Sequence, residues 1–358
     1  MLGRPSALDR VIDAIPAHDL LTRSPFDLID PARAAAAGHL EQISIPVWIV
    51  MIALQIAVLA WFWSTGSSAQ LRDRLRTNIR SEFAVRFWFA ALLTLLDKFV
   101  ALVPQAVQYR FSRIMDVTDM LFRTWLLDWI IGTIVAMIAA GLIAAIVLWL
   151  VDRTHQWYLY TIAGVIGVTL LVTYVSPYTI APAYSRYTPL PLSGKLAADN
   201  AELQARTSIR VPILEEHLAG RTRLGHTYII GWGGTQRIVI SDTMLAGATE
   251  GELRFVLARS YAWIAANTGL HLALIQGAMI VLGTALAVFI SDRIGFRRDD
   301  DPVSRLALLG AILGCVYVIA LPFYNGYTRN LDLTSDKGGV ALTGDPVSAI
   351  RLAVRQTD

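Results

Sequence analysis

The order of apolar and polar stretches along the chain predicts a protein that crosses a membrane several times. Six apolar runs each approach the length of about 20 residues that a helix needs to cross the hydrocarbon core. They lie near residues 45–64, 84–107, 126–150, 157–180, 269–290 and 304–324. The pattern indicates a mainly α-helical, polytopic membrane bundle of about six transmembrane helices. Four of them are predicted within residues 45–180 and two within residues 269–324.

A long polar stretch, residues 181–268, separates the fourth run from the fifth and predicts a small inserted α+β module. Within it, VPILEEHL is a strand candidate, and HTYIIGWGGTQRIVIS predicts a β-hairpin because two β-rich runs flank a glycine-rich turn. The segment TEGELRFVLARSYAWIAANTG predicts a helix that begins with a capping box of Thr249 and Glu252.

The two ends of the chain are polar. Residues 1–44 are expected to form a partly helical arm without the layout of a signal peptide. Residues 325–358 are expected to form helices that complete the module. The first of these has a weak Gly338-Gly339 interior, and Asp345-Pro346 predicts the N-cap and first residue of the last helix.

Composition supports the membrane assignment and narrows the chemistry. The chain is 55% hydrophobic and 16% charged, whereas soluble domains are about 25% charged. A net charge of +3 over 358 residues does not favour a nucleic-acid partner. The single cysteine, Cys315, allows neither a disulfide within the chain nor a cysteine-based metal site.

Asp97 and Lys98 place two ionisable side chains inside the second apolar run. Such residues at membrane depth face protein or water rather than lipid. Two interpretations are open: the pair neutralises itself within the bundle, or Asp97 has a functional role.

The order of features resembles a known family. A membrane helix leads into IAPAYSRYTPL, followed by the hairpin, the helix EGELRFVLARSYAW, two membrane helices and NGYTRNLDLTSDKGGVALTGDP. This is similar to the membrane-integral zinc metalloprotease family that includes the CAAX prenyl endopeptidases and the HtpX-type proteases. The resemblance implies a multi-pass protein of the bacterial inner membrane with its module on the cytoplasmic side. The loop arginines, by the positive-inside rule, favour the opposite side.

The resemblance also identifies the positions of the family's zinc site. In that family a helix carries His-Glu-x-x-His, whose two histidines bind zinc while the glutamate acts as general base. The corresponding residues here are Arg259, Ser260 and Trp263, and the third ligand and the aspartate four residues later correspond to Asp332 and Asp336.

These replacements predict that the zinc chemistry is lost. Arginine stays protonated and has no acceptor, and the indole of tryptophan offers only a donor. Ser260 has no adjacent histidine to activate it. We therefore expect no catalytic residues and no metal cofactor: the protein would be a pseudoprotease, with Asp332 alone keeping the ability to bind a metal.

Arg259 has two possible roles. Asp332 and Asp336, four residues apart, share a helix face, and a guanidinium can bind both carboxylates. Arg259 could therefore replace zinc as the cation between the two helices, with Trp263 filling the volume left by the second histidine. Alternatively, Arg259 points to water at the rim of the former cleft.

Three further residues are candidates for ligand binding. By resemblance, His226 and Tyr228 lie on the strand that pairs with the backbone of the substrate, and Arg329 precedes the third-ligand position. The strand could bind an extended peptide by β-augmentation or be a purely structural hairpin. His226 with Asp332 and Asp336 could also form a weak metal site, which Arg259 would oppose.

Three functions follow. The first is an inactive homologue that acts by binding, as a scaffold or accessory subunit of a membrane protein complex. The second is a zinc metalloendopeptidase with a rearranged site. The third is a membrane protein that binds lipid or another hydrophobic ligand. The expected partners are other membrane subunits, an extended peptide segment or lipid, and no nucleic acid.

Overall fold

The computed structural model of the chain describes residues 12–24, 27–29, 31–179, 181–182, 185–222, 224–295 and 301–357. The first eleven residues of the predicted N-terminal arm and residue 180, at the end of the fourth predicted span, lie outside the described residues.

The described part of the chain is mostly helical, with one small sheet. The helices are α1 (Ala17–Thr22), α2 (Pro31–Ser64), α3 (Ser67–Asn78), α4 (Glu82–Ile114), α5 (Phe122–Arg153), α6 (Trp157–Val175), α7 (Gly194–Thr207), α8 (Asp242–Gly247), α9 (Glu250–Ala265), α10 (Thr268–Gly295), α11 (Leu306–Thr343) and α12 (Pro346–Thr357). The strands are β1 (Tyr187–Pro189), β2 (Ile213–Glu216), β3 (Thr227–Ile230) and β4 (Arg237–Ser241).

Six of these helices are long and apolar enough to cross a membrane, which confirms the predicted bundle. They are α2, α4, α5, α6, α10 and α11. The last differs from the prediction, because the sixth span and the helix expected after it form one continuous helix of 38 residues. The short polar helix α3 between the first two spans was not predicted.

Asp97 finds its partner on another helix. Its carboxylate accepts a hydrogen bond of 2.9 Å from the side-chain amide of Gln55, on α2. The neutralising pair with Lys98 and a functional role for Asp97 both stay predictions.

The sheet has the strand order β1-β2-β4-β3. The predicted hairpin is present, with β3 antiparallel to β4 and Tyr228 opposite Val239. β2 runs parallel to β4, and the unpredicted strand β1 is antiparallel to β2. The buried side chains of Ile238 and Ile240 join a core that includes Leu257 of α9, so the sheet positions this helix.

The first turn of α9 is fixed by buried polar contacts. The predicted capping box is present: Glu252 accepts from the backbone amide of Thr249 at 2.6 Å, and Thr249 accepts from that of Glu252 at 3.4 Å. The fully buried Glu252 also pairs with Arg355 of α12, at 3.2 Å from Nε. Arg355 in turn pairs with Asp13 at 2.6 Å.

The N-terminal segment is more than a polar arm. Ile12, Leu20 and Leu28 are buried in a small apolar cluster with Val354 of α12. Residues 31–44, predicted as part of the arm, belong to the same helix as the first span. These apolar residues are scattered along the N-terminal segment and pack against a helix at the other end of the sequence. The sequence pattern alone therefore did not reveal this contact.

Candidate functional site

The candidate site lies where α9 crosses α11 at very close range. A side chain at Gly338 would place its Cβ 2.6 Å from the Cβ of Ala262, and one at Gly339 would lie 3.0 Å from the backbone N and Cα of Arg259. The pair predicted as a weak point of α11 therefore has a packing role. Two glycines let the backbones approach and bring Arg259 onto the face of α11.

At this crossing Arg259 bridges two carboxylates of α11. Its Nη2 lies 3.3 Å from Oδ1 of Asp332, and its Nε lies 2.5 Å from Oδ1 of Asp336. The interpretation in which Arg259 only points to water is therefore wrong. The side chains of Arg259, Asp332 and Asp336 are 30%, 58% and 44% exposed, so the cluster borders solvent and water screens it.

The two other positions of the altered motif are turned away from this cluster or tied to the backbone. Ser260 is buried, and its hydroxyl donates a hydrogen bond of 2.8 Å to the carbonyl of Val256. The indole of Trp263 lies against Gly269, where a Cβ would be 2.7 Å from its outer ring edge. That Trp263 fills the space of a lost ligand and metal stays a prediction.

The side chains at this crossing do not fit a zinc ion. Structural and catalytic zinc sites use three or four nitrogen, sulfur or carboxylate ligands. Across the part of the chain that the structure describes, no group of three His, Cys, Asp or Glu side chains comes together. The carboxylates of Asp332 and Asp336 already face a guanidinium, which places positive charge beside them.

A second polar cluster lies on the sheet and was not predicted. Glu216 of β2 is 4% exposed and accepts hydrogen bonds from the hydroxyls of Tyr228, at 2.7 Å, and Tyr187, at 3.1 Å. The two hydroxyls are also 2.9 Å apart. Burial raises the pKa of Tyr228, and its bonds with Tyr187 and Glu216 raise it further, so its phenol stays a proton donor.

The cluster joins residues from β1, β2 and β3, which the sequence separates by up to 41 positions. The sequence pointed to Tyr228 but not to Glu216 or Tyr187. A carboxylate at the end of a strand that begins with apolar residues, as Glu216 ends ILEE, is the signal that could have pointed to this cluster.

The remaining candidates lie at the edge strand β3 and on α11. β3 is an edge strand, paired with β4 on one side among the described strands. His226, just before β3, is exposed, and its backbone carbonyl accepts from the amide of Ser241 at 3.0 Å. Arg329, three residues before Asp332, is exposed on α11. The structure thus brings Arg259, Asp332 and Asp336 together, with α9 also contacting β3.

Comparison with protein families divides the chain into two matches. Residues 35–186 match the CAAX prenyl protease N-terminal family, described as having five membrane helices. Among the residues of that range that the structure describes, four helices have membrane-spanning length, α2, α4, α5 and α6. Residues 198–356 match peptidase family M48.

Curated relatives and a solved structure give the same assignment. The chain is 20% identical over 341 residues to an uncharacterized metalloprotease, YhfN, of Bacillus subtilis, covering 91% of this chain and 79% of that protein. It is 27% identical over 222 residues to a CAAX prenyl protease 1 homolog of Arabidopsis thaliana, covering 57% of this chain and 49% of that protein. The crystal structure of Ste24p from S. mikatae superimposes with a TM-score of 0.77 at 17% identity, covering 98% of this chain and 89% of that one.

Proposed function

Because the chain belongs to the M48 family of membrane-integral metalloproteases, we propose that it keeps the family fold but acts by binding, as a catalytically inactive pseudoprotease. It is an integral multi-pass membrane protein. In our proposal it resides in a bacterial inner membrane and serves as a scaffold or accessory subunit of a membrane protein complex.

The observation that carries the proposal is the bridge from Arg259 to Asp332 and Asp336. By family resemblance, these three residues stand where a zinc ligand, another zinc ligand and a supporting aspartate are expected. The guanidinium lies 3.3 Å and 2.5 Å from the two carboxylates. The guanidinium is a permanent cation without an available lone pair, so it cannot bind a divalent ion and repels one. It also offsets part of the negative charge of the two carboxylates that would otherwise attract such an ion.

The neighbouring groups do not supply a replacement mechanism. The hydroxyl of Ser260 is buried and donates to a backbone carbonyl, so it is not presented to a substrate. Tyr261 is fully buried, and its hydroxyl donates a hydrogen bond of 2.8 Å to Asn200. Tyr261 therefore cannot act as the base that an activated Ser260 would require.

Binding of an extended peptide needs no catalytic group. β3 presents one edge without a partner among the described strands, and a peptide can extend such a sheet by backbone hydrogen bonds. The network of Glu216, Tyr187 and Tyr228 fixes the strand from its sheet face. This support makes β3 the surface on which we expect a peptide segment of a partner subunit to lie.

The test measures zinc and peptide cleavage in the full chain and in a variant with restored ligands. The variant combines Arg259→His, Ser260→Glu and Trp263→His with Asp332→Glu, the residues that the family resemblance calls for. We expect the wild-type protein, purified with zinc present, to hold far less than one zinc per chain and to cleave nothing in a chelator-sensitive way. The variant is expected to gain zinc, because the donors return to the same scaffold.

Stoichiometric zinc in the wild type, or peptide cleavage that a chelator stops, would overturn the proposal in favour of a rearranged metalloendopeptidase. Peptide binding is tested separately, with a ten-residue Val/Thr-rich peptide, sized to an ordinary strand of about 3–10 residues, and the same peptide N-methylated at alternate residues. Weaker binding of the methylated form is expected, since it lacks the donors for strand pairing. Equal binding would exclude β-augmentation.

A further inference from the structure

A groove between the end of α4 and the start of α5 has the features of a binding site in the membrane. Its floor is formed by Leu102, Ala106, Phe111, Trp125 and Leu126, and its volume is about 480 Å³. This volume falls within the range of about 300–1,000 Å³ that is usual for small-molecule sites. The side chains of this floor are apolar or aromatic, so the groove suits a hydrocarbon chain.

The position of the groove corresponds to the membrane–water interface. It uses the last turns of one candidate span, Glu82–Ile114, and the first turns of the next, Phe122–Arg153. Tyr109, Phe122 and Trp125 form an aromatic cluster there, with ring centroids 5.1 Å apart for Tyr109 and Trp125. Such aromatic residues are enriched where membrane helices reach the level of the lipid headgroups.

Two arginines belong to this part of the chain. Arg110 lines the groove, Arg123 follows the lining residue Phe122 in sequence, and both are exposed. Among the described residues neither guanidinium makes an ion pair, whereas Arg113 donates to the carbonyl of Met120 at 2.8 Å. The nearby loop carboxylates, Asp116 and Asp119, each already have an interaction of their own. The ends of these two spans therefore carry two exposed cations without an ion pair among the described residues.

We propose that this groove binds one anionic phospholipid, with an acyl chain along the apolar floor and the phosphate held by Arg110 and Arg123. Guanidinium groups bind phosphate oxygens in a fork geometry, and the aromatic cluster places them at headgroup depth. The site adjoins the inserted module: Thr222 donates to the carbonyl of Val117 at 3.3 Å, and Arg221 pairs with Asp128 at 3.1 Å. The lipid therefore lies next to the contact between the module and the bundle.

The experiment uses the full chain reconstituted with equal amounts of phosphatidylglycerol and phosphatidylcholine. Native mass spectrometry after extraction in a mild detergent then counts the lipids that stay bound. We expect the wild type to retain one phosphatidylglycerol with a preference of about tenfold over phosphatidylcholine. The variant Arg110→Gln/Arg123→Gln should lose the preference, and Ala106→Trp, which fills the groove, should lose the bound lipid.

The matched control is Arg74→Gln, which removes an exposed arginine of α3 and should leave retention unchanged. Equal retention of both lipids by the wild type, or undiminished phosphatidylglycerol in both groove variants, would overturn the proposal. So would a bound lipid that excess inorganic phosphate displaces but Ala106→Trp leaves in place, because the hydrocarbon chain would then play no part. A dimer that Ala106→Trp dissociates, without lipid preference, would instead make a second copy the occupant.

Discussion

The first turn and the middle of α9 carry clusters of the same residue types in different surroundings. At the first turn, Glu252 is fully buried and the side chain of Arg355 is 10% exposed. Two turns later Arg259 faces Asp332 and Asp336, which are about half exposed. Charges buried away from water interact strongly and cannot lose a partner without penalty, whereas exposed pairs are screened. The first cluster therefore fixes the helix, and the second leaves an accessible face at the position that the family resemblance assigns to the zinc site.

The largest effect is expected from Glu252→Ala, which leaves Arg355 without its buried partner and removes half of the capping box. We predict a loss of about 3–5 kcal/mol in the free energy of unfolding. Thermal unfolding of the full chain in detergent, followed by tryptophan fluorescence, measures it.

Glu250→Ala is the matched control for this substitution. Glu250 lies in the same turn, but its contact with Lys195 is long, 3.9 Å, and both side chains are mostly exposed. We expect it to change stability by no more than about 0.5 kcal/mol. Equal effects of the two substitutions would show that the first turn is not an anchor, and the contrast between the first turn and the middle of α9 would disappear.

The next effect tests how closely α9 and α11 must approach. Gly339→Leu places a side chain against the backbone of Arg259 and should destabilise the protein by about 1–3 kcal/mol. Gly326→Leu, on the same helix with open space around it, should be neutral or slightly stabilising, because leucine is the better helix former. If the two variants melt alike, the close crossing does not hold Arg259 in place.

A double-mutant cycle sharpens the comparison at the exposed cluster. Arg259→Ala and Asp336→Ala, alone and combined, should show a coupling of about 0.5–1 kcal/mol, as expected for a screened pair. A cation deeply buried in place of zinc would give more. Additive effects would mean that the bridge between the helices contributes nothing to stability.

The sequence predicted the features that depend on local pattern. Apolar runs located the spans, β-rich runs around glycines located the hairpin, and Thr249 with Glu252 located the start of α9. The pairing of Arg259 with Asp332 and Asp336 could also be predicted, since two carboxylates four residues apart share a face and resemblance placed the arginine opposite them.

What the sequence did not reveal depends on contacts between distant segments. Glu216 meets Tyr187 and Tyr228 only through the register of three strands, and a shift of one residue would turn these side chains to the other face of the sheet. The glycines Gly338 and Gly339 of α11 predicted a weak point in a helix, because the sequence does not show the partner helix α9 against which they pack. The N-terminal segment likewise gains its structure from α12, at the opposite end of the chain.

The smallest effect concerns the acid sensitivity of the anchored end. Asp345 accepts from the amide of Ser348 at 3.0 Å, and Ser348 lies against Gly251 in the first turn of α9. Burial opposes the charge of Asp345, but hydrogen bonds from Ser348 and Val347 outweigh it and hold the pKa of this carboxyl below its usual value. A lowered pKa in the folded state means that the contribution of Asp345 to stability is complete above the unfolded value of about 3.9 and is lost as the pH falls through the folded value.

Asp345→Asn keeps a good N-cap without the charge, so at neutral pH it should cost about 0.3–1 kcal/mol in the free energy of unfolding. Below about pH 5 the wild type should lose more of its thermal stability than the variant, until the two curves converge below the folded pKa of Asp345. Parallel curves throughout that range would show that the charge of Asp345 adds nothing to the anchorage of α9.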